Sequence, residues 1–190
     1  YYNVEDRVWI INRFNIEQSS INNYDLRLEW YPRQGEVVSV SYFQKEFIKP
    51  VEMVMSMLSD GQNFEMYNMN LDKSKALGVE VNWRKSFDFI TPTLRDLYFT
   101  GNYTWMKANV KYNREKLLDP DRESHNPEFD RDRPLQGLSP YTLNLGVAYE
   151  GHVIGASINY NRNGRKLVYA GEYEKYDQYE NPRNVLDLQI

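Results

Sequence analysis

Residues 23–35, NYDLRLEWYPRQG, alternate with a period of two. Tyr24, Leu26, Leu28 and Trp30 fall on one side, and Asp25, Arg27 and Glu29 on the other, before Pro32 and Gly35 turn the chain. A strand sends successive side chains to opposite faces, so this stretch reads as a ribbon that is apolar on one face and charged on the other. The pattern recurs along the chain. Val38, Val40 and Tyr42 oppose Ser39, Ser41, Phe43 and Lys45, and Leu77, Val79, Val81 and Trp83 oppose Glu80, Asn82 and Arg84. Leu97, Phe99, Tyr103 and Trp105 alternate with Tyr98, Thr100, Asn102 and Thr104. Tyr141, Leu143, Leu145, Val147 and Tyr149 oppose Thr142, Asn144, Gly146 and Ala148. Ile154, Ala156, Ile158 and Tyr160 then face away from Ser157, Asn159 and Asn161, and Leu186, Leu188 and Ile190 from Asp187 and Gln189.

These runs predict strands at 24–31, 36–48, 75–87, 95–110, 140–149, 152–164 and 183–190, which form three hairpins and one strand without its partner. The connections at 32–35, 88–93 and 150–152 are short. Those at 49–73, 111–138 and 170–182 are long, the first with a short strand expected near Phe64–Asn70. The class is all-β and antiparallel.

Period two alone admits two architectures. A soluble barrel or sandwich buries its apolar face in a shared core, whereas a membrane-spanning barrel turns that face to lipid and its polar face inward. Three features favour the second. Aromatics cluster where apolar faces meet tight turns, at Trp30, Tyr31, Phe87, Phe89 and Tyr149, as in an interfacial girdle. Loop lengths alternate between short and long, as in spanning barrels. Charges stand in mid-strand, at Asp25, Arg27, Glu80 and Arg84, which a wide, hydrated or plugged lumen tolerates. The expected lipid-facing set is Leu26, Leu28, Val38, Val40, Val79, Val81, Leu143, Leu145 and Ile158. The expected lumen-facing set is Asp25, Arg27, Glu29, Glu80, Asn82, Arg84 and Asn144, with Trp30, Tyr31, Phe87 and Tyr149 as the girdle.

Composition narrows the function. The 190 residues include 16 Tyr, and aromatics make up 15%; Tyr and Trp favour places where one end of the side chain is apolar and the other wet. A net charge of −4 without a basic block argues against nucleic acid. With no Cys there is neither a disulfide nor a thiolate metal site. No run approaches the roughly 18 apolar residues of a membrane helix, which says nothing about strands that cross with alternating faces. The opening YYNVEDRVWI lacks the basic head and apolar core of a secretion signal. Alternation is still running at Ile190, which implies a segment of a larger barrel whose other strands close its edges.

Several motifs carry less. Asp119, Asp121, Glu123, His125, Glu128, Asp130 and Asp132 place oxygen ligands on one loop, but Arg114, Arg122, Arg131 and Arg133 interleave them. An internally paired, solvated loop accounts for that pattern better than a Ca²⁺ site. His125 and His152 read as surface residues, and no serine stands in a nucleophile elbow, so no catalytic residue, metal or cofactor is expected. Asn102–Tyr103–Thr104 falls in mid-strand and is discounted as a glycosylation acceptor. Met53, Met55, Met57, Met66 and Met69 read either as adaptable contacts or as ordinary packing.

The stretch NYDLRLEWYPRQGEVVSVSYFQKEFIKPVE resembles late barrel strands of TonB-dependent outer-membrane receptors. ALGVEVNWRKSF, RPLQGLSPYTLNLGVAYE and YENPRNVLDLQI follow in the family's order, and the likeness is to the branch common in Bacteroidetes. It covers most of residues 20–190; residues 1–20 match poorly and are expected in an extracellular loop. The resemblance implies the carboxyl-terminal part of a barrel of about 22 strands in the Gram-negative outer membrane, plugged by an upstream domain absent from these residues. It also implies import of a siderophore, glycan, peptide or vitamin, powered through the TonB complex. The alternatives are a structural barrel subunit that recruits surface lipoproteins and a soluble ligand-binding barrel.

Overall fold

The computed structural model describes residues 2–3, 8–12, 14–58, 61–113, 115, 119 and 130–190. Fourteen strands are resolved among them: β1 (Tyr2–Asn3), β2 (Val8–Ile11), β3 (Ser20–Trp30), β4 (Val37–Ile48), β5 (Val51–Met57), β6 (Phe64–Asn70), β7 (Lys73–Ser86), β8 (Leu97–Asn113), β9 (Asp130–Pro134), β10 (Tyr141–Glu150), β11 (Gly155–Asn163), β12 (Lys166–Gly171), β13 (Gln178–Glu180) and β14 (Arg183–Gln189). The seven strands expected from alternation are β3, β4, β7, β8, β10, β11 and β14. They pair antiparallel in one sheet, in the order β14-β11-β10-β8-β7-β4-β3, with β9 added on β8.

The three short connections all lie at one end of this sheet. Between β7 and β8 the chain makes two 3-10 turns, the first capped by the Ser86 hydroxyl, which accepts from the Asp88 N–H at 3.1 Å. The three long connections lie at the other end, where 49–73 and 170–182 join the N-terminal β1 and β2 and strand β12 in a second sheet in the order β1-β2-β6-β5-β12-β13, while 111–138 adds β9 to the main sheet. β5 pairs antiparallel with β6, whereas β12 joins β5 and β2 joins β6 in parallel. Segments from distant parts of the chain thus meet edge to edge in a canopy.

The stretch 49–73 was expected to be a loop with one short strand; it is the hairpin β5–β6. Its alternation is masked because both faces are buried, as happens in strands covered on two sides. Val54 and Met55 on β5, and Met66 and Tyr67 on β6, are all buried. Met55, Met66 and Met69 of the Met cluster therefore pack as core. The polar stretch expected at 170–182 likewise contains a 3-10 turn at Glu174–Tyr176 and strand β13.

The hairpin bends over one face of the main sheet at Lys49. This residue takes a positive φ of 51° just before Pro50, and its carbonyl accepts from the Asn70 amide at 2.8 Å and the Ser19 hydroxyl at 2.6 Å. Val54, Tyr67, Met69 and Leu71 then pack against Ala76, Ala108, Val110, Tyr112 and Leu135. On β7 and β8 those are even-numbered positions, the same face as Glu80, Asn82 and Asn102. The canopy therefore covers the far end of the charged face, and the apolar face has no such cover among the described residues.

Buried polar groups tie the canopy down. Glu52 of β5 and Arg133 of β9 form a two-point ion pair with both side chains 2% exposed. Glu52 also accepts the Gln136 N–H at 2.9 Å, and the Arg133 guanidinium lies over the Tyr112 ring at 4.7 Å. Gln136 bridges both neighbours, accepting the Met53 N–H and donating to the carbonyls of Met53 and Val168. Removing one partner of a buried pair strands the other charge, at about 3–5 kcal/mol, whereas replacing both with well-packed apolar groups is much milder. Glu52→Ala should therefore raise amide hydrogen exchange across β5 and β9 by orders of magnitude, and Glu52→Leu combined with Arg133→Met should restore most of the protection. Equal exchange in the Glu52→Ala variant and the parent would contradict this account.

Candidate functional site

The charged face of the main sheet is a wall of paired polar side chains, and the strand register sets their rows. One row crosses the sheet through Glu29, Ser39, Asn82, Asn102, Asn144 and Asn161. Four asparagines on adjacent strands form a ladder. The Asn102 amide donates to Asn82 at 2.6 Å, Asn144 to Asn102 at 3.3 Å and Asn161 to Asn144 at 2.5 Å. Asn82 donates onward to Glu80 at 2.8 Å, and Asn163 to Asn161 at 3.2 Å. An amide both donates and accepts, so a row of them satisfies itself across a sheet.

The charged residues divide into two groups. Arg27 pairs with Glu29 at 2.5 Å and donates to the Ser41 hydroxyl at 3.3 Å, while Tyr31 donates to the other Glu29 oxygen. Arg84 does not join them. It donates to the Gly35 carbonyl at 3.0 Å and to Glu150 at 2.8 Å, and its guanidinium stacks over Tyr98 at 4.0 Å. The mid-strand charges Arg27, Glu29 and Arg84 thus fall into two clusters, with Glu80 tied to the ladder. A hollow of about 560 Å³ lies along this wall, lined by Arg84, Thr100, Asn102, Asn144, Asn159 and Asp187 among others.

The opposite face is apolar and open. Leu26, Val79, Tyr42, Trp105 and Tyr141 share one row, and Leu28, Val40, Val81, Tyr103 and Leu143 the next. Leu28 is 69% exposed, and Val40, Tyr103, Val147 and Ile158 are also exposed. β3 and β14 are the sheet's edges, so part of their exposure comes from lacking a neighbour; Val40, Tyr103, Val147 and Ile158 lie on inner strands. Trp83 lies flat over Gly101, where a Cβ would come within 2.0 Å of the ring. The residues expected on the two faces are thus sorted onto two faces by the register. Trp30, Tyr31, Phe89 and Tyr149 lie exposed toward the short-turn end, and Phe87 stacks on Phe89 with ring centres 6.1 Å apart.

Sequence reasoning missed three things. A second aromatic row, Tyr42, Trp105 and Tyr141, bounds the apolar face toward the canopy. Asn102, Asn161 and Asn163 were not singled out as partners of Asn82 and Asn144. The third is the Arg131 cluster. Arg131 pairs with Asp177 and donates to the Tyr112 hydroxyl at 2.8 Å, and Tyr112 donates to the Gly171 carbonyl at 3.0 Å. Burial opposes the Arg131 charge, yet the Asp177 hydrogen bond and the facing Tyr112 raise its pKa above the ordinary arginine value. Alternation put the residues of the first two on their faces, but only the strand register brings them to one height.

Of the acidic loop, Asp119, Asp130 and Asp132 are described, while Asp121, Glu123, His125 and Glu128 lie outside the described residues. His152 is exposed at a tight turn. Among the described residues no group of three or more His, Cys, Asp or Glu is placed to hold a metal.

This sheet, with short turns at one end and a looped canopy at the other, matches the family described as TonB dependent receptor-like, beta-barrel, over residues 7–190. The chain belongs to the TonB-dependent receptor family. The match begins well before residue 20, so it takes in β2 of the canopy. Among curated proteins nothing matches. Among solved structures, a mutant ferric enterobactin receptor from Pseudomonas aeruginosa in complex with enterobactin aligns with a TM-score of 0.54 at 16% identity, over 94% of this chain and 25% of that one. A second mutant of the same receptor aligns with a TM-score of 0.52 at 15% identity, over 90% of this chain and 23% of that one. At such identities the likeness concerns the fold. The chain spans about a quarter of those receptors, and the antiparallel main sheet is a segment of a TonB-dependent receptor barrel in the outer membrane of a Gram-negative bacterium.

The ladder gives a direct test on the barrel wall. Asn102→Leu leaves Asn82 Oδ1 and the Asn144 amide without their partners, at about 1–3 kcal/mol. The assembled receptor should lose its folded, heat-modifiable gel mobility at a lower temperature, and Asn102→Gln should lose less.

Proposed function

We propose that this chain forms part of the wall and outer mouth of an outer-membrane importer. Its apolar face meets lipid and its polar face lines the lumen and meets the plug. Its canopy faces the cell exterior, where substrate is captured. The observation that carries the reading is a broad, uncovered apolar face backed by a wall of mutually hydrogen-bonded polar groups. Monomeric soluble proteins rarely leave apolar patches of more than a few hundred Å² open to water. From Leu97 to Trp105 the strand rises about 27 Å, or about 20 Å along a membrane normal at a tilt near 40°, close to the apolar band of spanning barrels.

In this arrangement Leu26, Leu28, Val38, Val40, Val79, Val81, Leu143, Leu145 and Ile158 contact acyl chains. Trp30, Tyr31, Phe87 and Tyr149 mark the periplasmic interface, while Tyr42, Trp105 and Tyr141 mark the outer one. Asp25, Arg27, Glu29, Glu80, Asn82, Arg84 and Asn144 face the hydrated interior. TonB coupling runs through a plug upstream of these residues. The substrate is a scarce nutrient of the siderophore, glycan, peptide or vitamin class.

Leu145→Arg or Val79→Arg should reduce folding into bilayers by about 2–4 kcal/mol near the midplane, whereas Asn144→Arg should be milder. Equal effects on both faces, measured by urea titration in lipid vesicles, would sink the assignment. For transport, cells lacking the full-length gene should fail to accumulate one nutrient of these classes. Cells with the gene but without TonB should fail in the same way. Accumulation that persists without TonB would favour a structural barrel subunit.

A further inference from the structure

We infer that an uncharged solute bearing hydroxyl or amide groups passes along the strip of wall formed by β8, β10 and β11, with the hollow at Gly146 as a transit site. The inference deepens the importer reading and rests on its premise that the polar face lines the lumen. On that face β8 presents the even positions from Tyr98 to Met106, β10 the even positions from Thr142 to Ala148, and β11 the odd positions from Ser157 to Asn163. None of these side chains carries a charge, in a chain whose residues are 26% charged. Charges return on both flanks. β7 brings Glu80 and Arg84 to the same face on one side, and β14 brings Arg183 and Asp187 on the other. Three adjacent strands thus make a neutral amide and hydroxyl strip between two charged borders.

The chemistry of the strip selects what moves along it. An amide offers two N–H donors and two lone pairs, and the ladder engages one N–H of Asn102 and one of Asn144. Among the described residues the second N–H of each has no partner, and it can meet a hydroxyl or amide of a solute. Such contacts are weak and repeated along the strip, which lets a solute both enter and leave. An ion fares worse there. It sheds hydration and meets no opposite charge on the strip, and Arg84 at the border is already held by Glu150 at 2.8 Å. One row of the register runs Arg84, Thr100, Gly146, Asn159 and Asp187. The hollow of about 560 Å³ lies along this row and the ladder beside it, so a charge stands at each end and neutral groups fill the middle. Gly146 sets its depth. A Cβ there would meet Asn159 Oδ1 at 2.6 Å and Thr100 Oγ1 at 2.7 Å. Both are the ends of movable side chains, so a larger residue at 146 turns them aside and fills the hollow without breaking the strand.

The test uses the full-length receptor in intact cells, with one cysteine introduced at a time into a cysteine-free background. Gly146→Cys and Asn159→Cys lie on the strip, and Ser41→Cys, beside Arg27, is the comparison. Three methanethiosulfonate probes are used, one carrying glucose, one an anionic sulfonate and one a cationic trimethylammonium, and each labelling rate is divided by the rate with free cysteine. At Gly146→Cys and Asn159→Cys the glucose probe should label about fivefold or more faster than either charged probe, and about fivefold or more faster with TonB than without it. Ser41→Cys should show no such preference. A charged probe that matches the glucose probe at both strip positions, with heat-modifiable mobility intact, overturns the uncharged solute. Labelling that is equal with and without TonB, or the same preference at Ser41→Cys, overturns the strip as the path. Either result leaves the importer reading standing while nutrient accumulation still requires TonB; accumulation that persists without TonB overturns that reading instead.

Discussion

Backbone hydrogen bonding in a medium without water is the constraint on which everything else rests. A peptide group in hydrocarbon must find its partner inside the protein, and strands can do so only by pairing on both sides. The main sheet meets this condition from β4 to β11, where each strand is bonded to two neighbours in unbroken antiparallel register. Once pairing is compulsory, side chains have only two directions left. The alternation of Leu and Val with Asn, Glu and Arg sorts onto those two directions, which in the proposed arrangement meet acyl chains on one side and a hydrated interior on the other.

The same pairing turns isolated polar residues into a system. Asn82, Asn102, Asn144 and Asn161 are separated by up to 79 positions in the chain, yet they stand side by side because each strand reverses at a tight turn. Their amides satisfy one another across the strands. The wall can therefore be polar without each residue depending on water alone. Arg27 with Glu29, and Arg84 with Glu150 and Tyr98, do the same with charge. Such pairs leave little net charge to be desolvated.

At the outer end the physics changes. Beyond Ala76 and Ala108 the polar face is covered, since β5 and β6 fold down onto it and form a core with Val110, Tyr112 and Leu135. Charged groups there are held in tight pairs, as Glu52 with Arg133 and Arg131 with Asp177, and Ser56 donates to Glu172 at 2.6 Å. Gly171 allows a close backbone approach: a Cβ there would meet the Tyr173 carbonyl at 2.4 Å and the backbone of Tyr176 at 2.7 Å. The canopy is thus a small structured layer over the mouth of the wall.

The amino-acid sequence by itself determined the seven alternating strands, their two faces and the order of short and long connections. These depend on local spacing and on turn residues such as Pro32 and Gly35, both of which the chain carries wherever it folds. The aromatic boundary near the short turns was legible for the same reason. The canopy was not: Glu52, Val54, Met55 and Ser56 are all buried, so period two vanishes, and the partners that permit this, Arg133 and Glu172, lie 81 and 116 residues away. The asparagine ladder also had to wait for the tertiary structure, because the height of a residue on a sheet depends on the register of its neighbours, and register is a property of strands already paired.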